Sequence, residues 1–353
     1  MIKTLIVDDS ATFRSIIRRV LSTNDAIDIV GTSKDGSHAL SFILSKKPDV
    51  VTLDLEMPGL DGISLLQEIG KRKKDDPELD KIKIIVVSAG DSQSAKASIN
   101  ALKYGAYDVV LKATGSGFDE NIQHLTEKLL PRILETKKSE TNEIPSKNIH
   151  LKDKCVLSKH NFKALLIGSS TGGPQALMKV LPKFTREIKV PILIVQHMPP
   201  EFTQSLADSL NKLTSLTVKE AEKGEILKSG TVYIAPGNYH LEMSLVQGDL
   251  CATLNKKPPE NFCRPAVDVL FRSAAQSIDG ECLALILTGM GSDGCKGLQL
   301  LKDKNAYAIV QDEESSVVWG MPGNVVEAGL ADNILPLDQI GNAVQDLLIR
   351  HQS

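Results

Sequence analysis

Leu5-Ile6-Val7-Asp8-Asp9 decides the fold: three apolar residues run directly into two carboxylates. Phe13, Ile16, Ile17, Val20 and Leu21 follow at helical spacing, the apolar stripe of an amphipathic helix. A short buried strand feeding such a helix is half of a βα unit, and the pattern recurs. Val50-Val51-Thr52-Leu53, Ile84-Ile85-Val86-Val87 and Asp108-Val109-Val110-Leu111 read as further strands, with a weaker one at 27–30. Five strands with intervening helices form a doubly wound parallel sheet, which gathers functional groups at the carboxyl ends of its strands.

Outward from this unit the pattern breaks. Lys137-Lys138-Ser139-Glu140-Thr141-Asn142-Glu143-Ile144-Pro145 is polar, charged and interrupted by proline, the composition of a linker. The alternation then resumes. Ala164-Leu165-Leu166-Ile167, Pro191-Ile192-Leu193-Ile194-Val195 and Leu283-Ala284-Leu285-Ile286-Leu287 read as buried strands. Residues 241–245 and 250–254, joined around Gly248-Asp249, read as a β-hairpin. The organisation expected is a first α/β domain at 1–136, a linker at 137–161 and a second α/β domain at 162–353. The second has a mostly parallel sheet and a hairpin.

A length of 353 residues fits two domains. Net charge is −3, which gives no general attraction to nucleic acid or to an anionic membrane. No apolar run reaches the ~20 residues that span a bilayer, and the first nine residues are no signal peptide. The five cysteines (Cys155, Cys251, Cys263, Cys282, Cys295) form no CxxC pair. Such a set reads as reduced thiols in a cytoplasmic protein without membrane insertion.

Two sites emerge. Asp8 and Asp9 end the first strand, Asp54 the strand at 50–53, while Ser88 and Lys112 follow the strands at 84–87 and 108–111. On one sheet edge the five converge. Three close carboxylates call for a hard cation such as Mg²⁺, and Asp54 can attack a phosphoryl donor. Lys112 and Ser88 then suit the phosphoryl oxygens. Residues 1–134 resemble a response-regulator receiver domain, a flavodoxin-like doubly wound parallel sheet. The resemblance rests on Leu5-Ile6-Val7-Asp8-Asp9-Ser10, Asp54-Leu55-Glu56-Met57-Pro58-Gly59, Val87-Ser88-Ala89 and Gly105-Ala106 through Lys112. It implies phosphorylation at Asp54 by a histidine kinase, Mg²⁺ held by Asp8, Asp9 and Asp54, and phosphoryl sensing by Ser88 and Lys112. The sequence departs at Ala113, where proline is usual, and at Val109, where an aromatic is common. Residues 70–83 are also longer and more charged than usual.

The second site is Gly168-Ser169-Ser170-Thr171-Gly172-Gly173-Pro174, after the strand at 164–167. Read as G-x-S-x-G it puts Ser170 on a strand-to-helix elbow. The same turn also suits a phosphate cradle. A serine nucleophile needs a base, drawn here from His160, His197, His240 and His351; His197 directly follows a strand. Asp293, in Thr288-Gly289-Met290-Gly291-Ser292-Asp293-Gly294, supplies an orienting carboxylate, and the amides at Gly289 and Met290 suit an oxyanion. Ser-His-Asp order excludes the α/β-hydrolase fold. Arg264 and Asp268 are candidates for a substrate groove or for an ion pair. Trp319 reads as core or groove wall.

From about Phe162 onward the chain resembles the catalytic domain of the chemotaxis methylesterases. Matching stretches are Ile167 through Pro174, Gln196-His197-Met198-Pro199, Ala235-Pro236-Gly237, Arg264-Pro265-Ala266-Val267-Asp268, Leu287 through Gly294 and Trp319-Gly320-Met321-Pro322-Gly323. The resemblance implies Ser170 as nucleophile, His197 as base, Asp293 as orienting acid and the Met290 amide as oxyanion donor. It implies hydrolysis of glutamate methyl esters, and deamidation of glutamine, on methyl-accepting chemotaxis receptors, with no cofactor for the hydrolase. It also implies that the receiver blocks the site until phosphorylated. Ser169 stands where alanine is usual. A transcriptional regulator is disfavoured by an α/β second half that is not basic. A phosphate-binding module and a serine peptidase remain distinguishable by assay.

Overall fold

The computed structural model describes residues 1–113, 117–138 and 161–350. The chain divides into two compact units, Met1–Ile144 and Pro145–Ser353.

In the first unit the strands are β1 (Ile2–Val7), β2 (Ile27–Ser33), β3 (Val50–Leu53), β4 (Lys83–Ser88) and β5 (Asp108–Leu111). They form one sheet in the order β2-β1-β3-β4-β5, parallel throughout. All four residues of β3 are buried, as expected of a strand covered by helices on both faces. Those helices are α1 (Ala11–Leu21), α2 (Gly36–Lys46), α3 (Gly62–Arg72), α5 (Ser92–Lys103) and α6 (Phe118–Lys128), with short α4 (Glu78–Lys81) in the charged insertion. Side-chain caps fix the starts of α3 and α5: Asp61 accepts from Ser64 N at 2.7 Å and Asp91 from Ser94 N at 2.9 Å. Helix α7 (Leu130–Lys138) closes the unit. The expected linker lies almost wholly at 139–160, outside the described residues.

The second unit holds a seven-stranded sheet, parallel throughout, in the order β14-β13-β12-β6-β7-β9-β8. Its central strands are β12 (Cys282–Ile286), β6 (Ala164–Ser169) and β7 (Ile192–Gln196), buried end to end. The outer strands are β8 (Thr217–Glu220), β9 (Thr231–Ile234), β13 (Tyr307–Gln311) and β14 (Asn333–Leu335). β10 (His240–Val246) and β11 (Asp249–Asn255) make the hairpin. Its two-residue turn is Gln247-Gly248, at φ +52° and +95°, one position before the expected turn. β10 lies along helix α10 (Val267–Ser277): Ser273 Oγ accepts from Met243 N at 2.9 Å, and Ser277 Oγ donates to Met243 O at 2.8 Å. Helices α8 (Gly173–Val180), α9 (Pro200–Asn211), α11 (Cys295–Lys302), α12 (Gly320–Glu327) and α13 (Leu337–Arg350) complete the layers. Partly buried Trp319 packs against the core of this unit. Among the described residues the one cis peptide bond is Arg264–Pro265, so Lys112–Ala113 is trans. No described helix is long and apolar enough to cross a membrane.

Candidate functional site

At the carboxyl edge of the first sheet, buried Asp8, exposed Asp9 and buried Asp54 bring ligand atoms within 4.8 Å of one another. Lys112 Nζ lies 2.9 Å from Asp8 Oδ2 and 2.7 Å from Asp54 Oδ2, and 4.5 Å from the Phe13 ring centroid. Burial opposes charge on Lys112, but Asp8 and Asp54 outweigh it and raise its pKa. Burial also raises the Asp8 carboxyl, with the Asp54 charge adding to it and Lys112 opposing. Ser88, buried at the end of β4, accepts from Lys112 N through its backbone oxygen at 2.8 Å. These residues fit a hard divalent cation: all three donors are carboxylates, two of them buried, and their oxygens already converge to within 4.8 Å.

In the second sheet Ser170, His197 and the 288–293 loop follow the adjacent strands β6, β7 and β12. Ser170 N donates to Thr288 O at 3.1 Å, and His197 N to Ser169 O at 3.1 Å. The elbow needs two glycines. Gly172 has φ +77°, and a Cβ there would meet Val317 Cβ at 2.4 Å. A Cβ on Gly289 would lie 2.8 Å from Ser170 Cβ and 2.4 Å from Met321 Sδ. Gly289 therefore lets the loop pack directly on the serine. Gly173 and Pro174 open α8, whose N-terminal dipole points at the turn.

Gln196 clamps this arrangement. Ser169 Oγ donates to Gln196 Oε1 at 2.7 Å, which turns the amide so that Nε2 donates to Ser170 O (2.9 Å) and His197 O (3.2 Å). The unusual hydroxyl at 169 thus orders the elbow instead of competing with it.

His197 Nε2 lies 2.7 Å from Asp293 Oδ2. Asp293 Oδ2 also accepts from Val267 N at 2.6 Å, and Oδ1 accepts from Gly294 N (3.0 Å), Asp268 N (3.1 Å) and Asn261 Nδ2 (2.8 Å). Burial raises the Asp293 pKa, but the His197 partner and these donors outweigh it and hold the carboxyl below its ordinary value. Burial likewise disfavours charge on His197, yet its hydrogen bond with Asp293 and the nearby Cys263 push its pKa up to about 10. Among the described residues no hydrogen bond joins Ser170 Oγ to the His197 ring, and the Met290 N–H donates to no group.

His240 is buried at the start of β10, where its Nε2 is taken up by Pro258 O at 3.0 Å. His160 and His351 lie outside the described residues. Arg264 and Asp268 do not pair with each other. Arg264 holds Asn238 Oδ1 and the carbonyls of Lys256 and Lys257, while Asp268 accepts from Gly297 N (2.6 Å) and Asn261 Nδ2 (2.9 Å). Sequence reasoning missed Asn261 and Cys263, whose contacts cross tens of residues and leave no local signature.

A receiver-type sheet with an acidic pocket at its carboxyl edge, followed by a second parallel sheet with a serine, a histidine and an aspartate along one edge, defines a response regulator with an enzymatic output. A model of the CheB methylesterase matches residues 165–344, and one of the response regulator receiver domain matches residues 4–123. The protein-glutamate methylesterase/protein-glutamine glutaminase of Trichodesmium erythraeum is 41% identical over 349 residues, covering 97% of each chain. The protein of that name from Bacillus licheniformis is 38% identical over 365 residues, covering 100% of both. The crystal structure of the Thermotoga maritima CheB methylesterase catalytic domain superposes with a TM-score of 0.52 at 45% identity, over 53% of this chain and 98% of that one. The chain belongs to the CheB methylesterase family.

Proposed function

We propose that this protein hydrolyses glutamate methyl esters, and deamidates glutamines, on chemoreceptors, under control of phosphorylation at Asp54. The observation that carries the reading is the His197–Asp293 pair at 2.7 Å beside a serine on the neighbouring strand. Ser170 Oγ attacks the γ-carbonyl and passes its proton to His197. With Nε2 engaged by Asp293, Nδ1 is the nitrogen left for this task. The carbonyl π-bond opens to an oxyanion that accepts from the Met290 N–H. The C–O bond to methoxide then breaks as His197 returns the proton, releasing methanol. Water, deprotonated by His197, cleaves the acyl-serine to give glutamate and free Ser170. With an amide the leaving group is ammonia. The Ser170–His197 hydrogen bond forms in the substrate complex, where such contacts commonly tighten.

The boundaries read from the sequence, 1–136, 137–161 and 162–353, are retained as receiver, linker and catalytic domain. In the receiver Asp8, Asp9 and Asp54 would hold Mg²⁺, which supplies charge neutralisation for an incoming phosphoryl group. Asp54 takes that group from a histidine kinase, Lys112 exchanges its carboxylate partner for a phosphoryl oxygen, and Ser88 donates to another. Free thiols at Cys251, Cys263, Cys282 and Cys295 support a reducing, cytoplasmic setting.

The test is methanol release from methyl-esterified receptor by wild type, Ser170→Ala and Asp54→Asn, with and without Mg²⁺ and a small phosphodonor. An inactive Ser170→Ala protein and stimulation that requires Asp54 are the expected results. Wild type that releases no methanol under any condition overturns the hydrolase reading and favours an anion-binding role for the glycine turn.

A further inference from the structure

Phe262 is 97% exposed, more than any other large apolar side chain among the described residues. It sits in a two-residue turn closed by Glu260 N–H to Cys263 O (3.0 Å) and Cys263 N–H to Glu260 O (2.9 Å). Both turn residues are left-handed, Asn261 at φ +52° and Phe262 at φ +61°. That backbone is unfavourable for any residue with a Cβ and least so for asparagine, so something must hold Phe262 in it. The flanks do. Asn261 Nδ2 bridges Asp293 Oδ1 at 2.8 Å and Asp268 Oδ2 at 2.9 Å. Glu260 is gripped by both terminal nitrogens of Arg272, at 2.9 and 2.7 Å. The turn is thereby anchored to the acid of the hydrolytic site, and its ring is held out in water.

Other exposed apolar side chains of this unit lie elsewhere, Leu213 just after α9 and Leu245 near the end of β10. Phe262 and the 36%-exposed Met290 are on the two segments that hold Asp293 or carry it. An aromatic ring on a rigid mount binds without the entropy loss of ordering a loop. We propose that Phe262 is a substrate anchor: its ring docks on an apolar side chain of the receptor helix that carries the ester. On a helix the residues three or four positions away are the neighbours of the esterified glutamate, so the anchor selects esters with an apolar residue one turn distant. This rests on the methylesterase reading above.

The experiment uses the full chain in two arms. In the first, kcat/KM is measured on methyl-esterified receptor fragment and on a short glutamyl methyl ester. Phe262→Ala lowers the receptor-to-short-ester ratio about tenfold through a higher receptor KM, and Phe262→Trp restores most of it. In the second, binding of receptor fragment to Ser170→Ala protein is compared with binding to Ser170→Ala/Phe262→Ala, which is about tenfold weaker. An equal fall on both esters makes the ring structural and overturns the anchor. So does an effect confined to phosphodonor stimulation, which places the ring against the receiver, or unchanged binding. If wild type releases no methanol but the binding arm still responds, the methylesterase reading fails and the anchor stands.

Discussion

Asp293, hydrogen-bonded to His197 Nε2 at 2.7 Å, and the neighbouring Cys263 both favour the proton on His197. A general base works only when neutral, so a pKa raised from 6.5 toward about 10 ties activity to alkalinity. kcat/KM for ester hydrolysis is expected to climb as pH rises through neutrality, with its inflection above the ordinary histidine value. Cys263→Ala removes one partner and moves that inflection to lower pH. A pH–rate profile checks both, and an inflection indifferent to Cys263 would show that the thiol does not hold the ring. The linkage to stability runs the other way. A group whose folded pKa is raised stabilises the fold fully below pH 6.5 and loses that contribution as pH rises through the folded value. Alkali thus frees the base while weakening the pair that positions it.

Among the elements, the β6–α8 elbow is the least tolerant. Gly172→Ala must place a Cβ in left-handed backbone and against Val317, and is expected to cost about 1–3 kcal/mol and to depress kcat by displacing Ser170. Urea unfolding combined with methanol release checks this; a variant matching wild type in both would mean that the turn can rearrange. This elbow was legible because glycine, serine and proline each impose a local conformation. So were apolar strand runs: β3, buried throughout, and β5, partly buried, both lie at their expected bounds. β8, β9 and β14 escaped because three or four residues at or near a sheet edge carry too little pattern. β13 escaped because a short apolar run reads equally as buried helix. Ser88 was expected after β4 and is its last residue. Asn261 was illegible because its role depends on Asp293, 32 residues away.

For the whole molecule, two units with separate sheets predict two unfolding transitions in calorimetry rather than one. Mg²⁺ that binds the folded acidic pocket raises the midpoint of the first unit alone, by mass action, and Asp8→Asn abolishes the shift. A single transition, or a Mg²⁺ effect on both, would show that the units unfold as one. The hydrolytic edge has a further consequence for how the chain is made. Its base and acid lie 96 residues apart, and β12, which carries the acid's loop, pairs beside β6. At roughly 5–20 residues per second on a ribosome, about 5–20 s separate the emergence of His197 from that of Asp293. Throughout that interval the first unit is already complete, so the acidic pocket is finished before the hydrolytic edge can form.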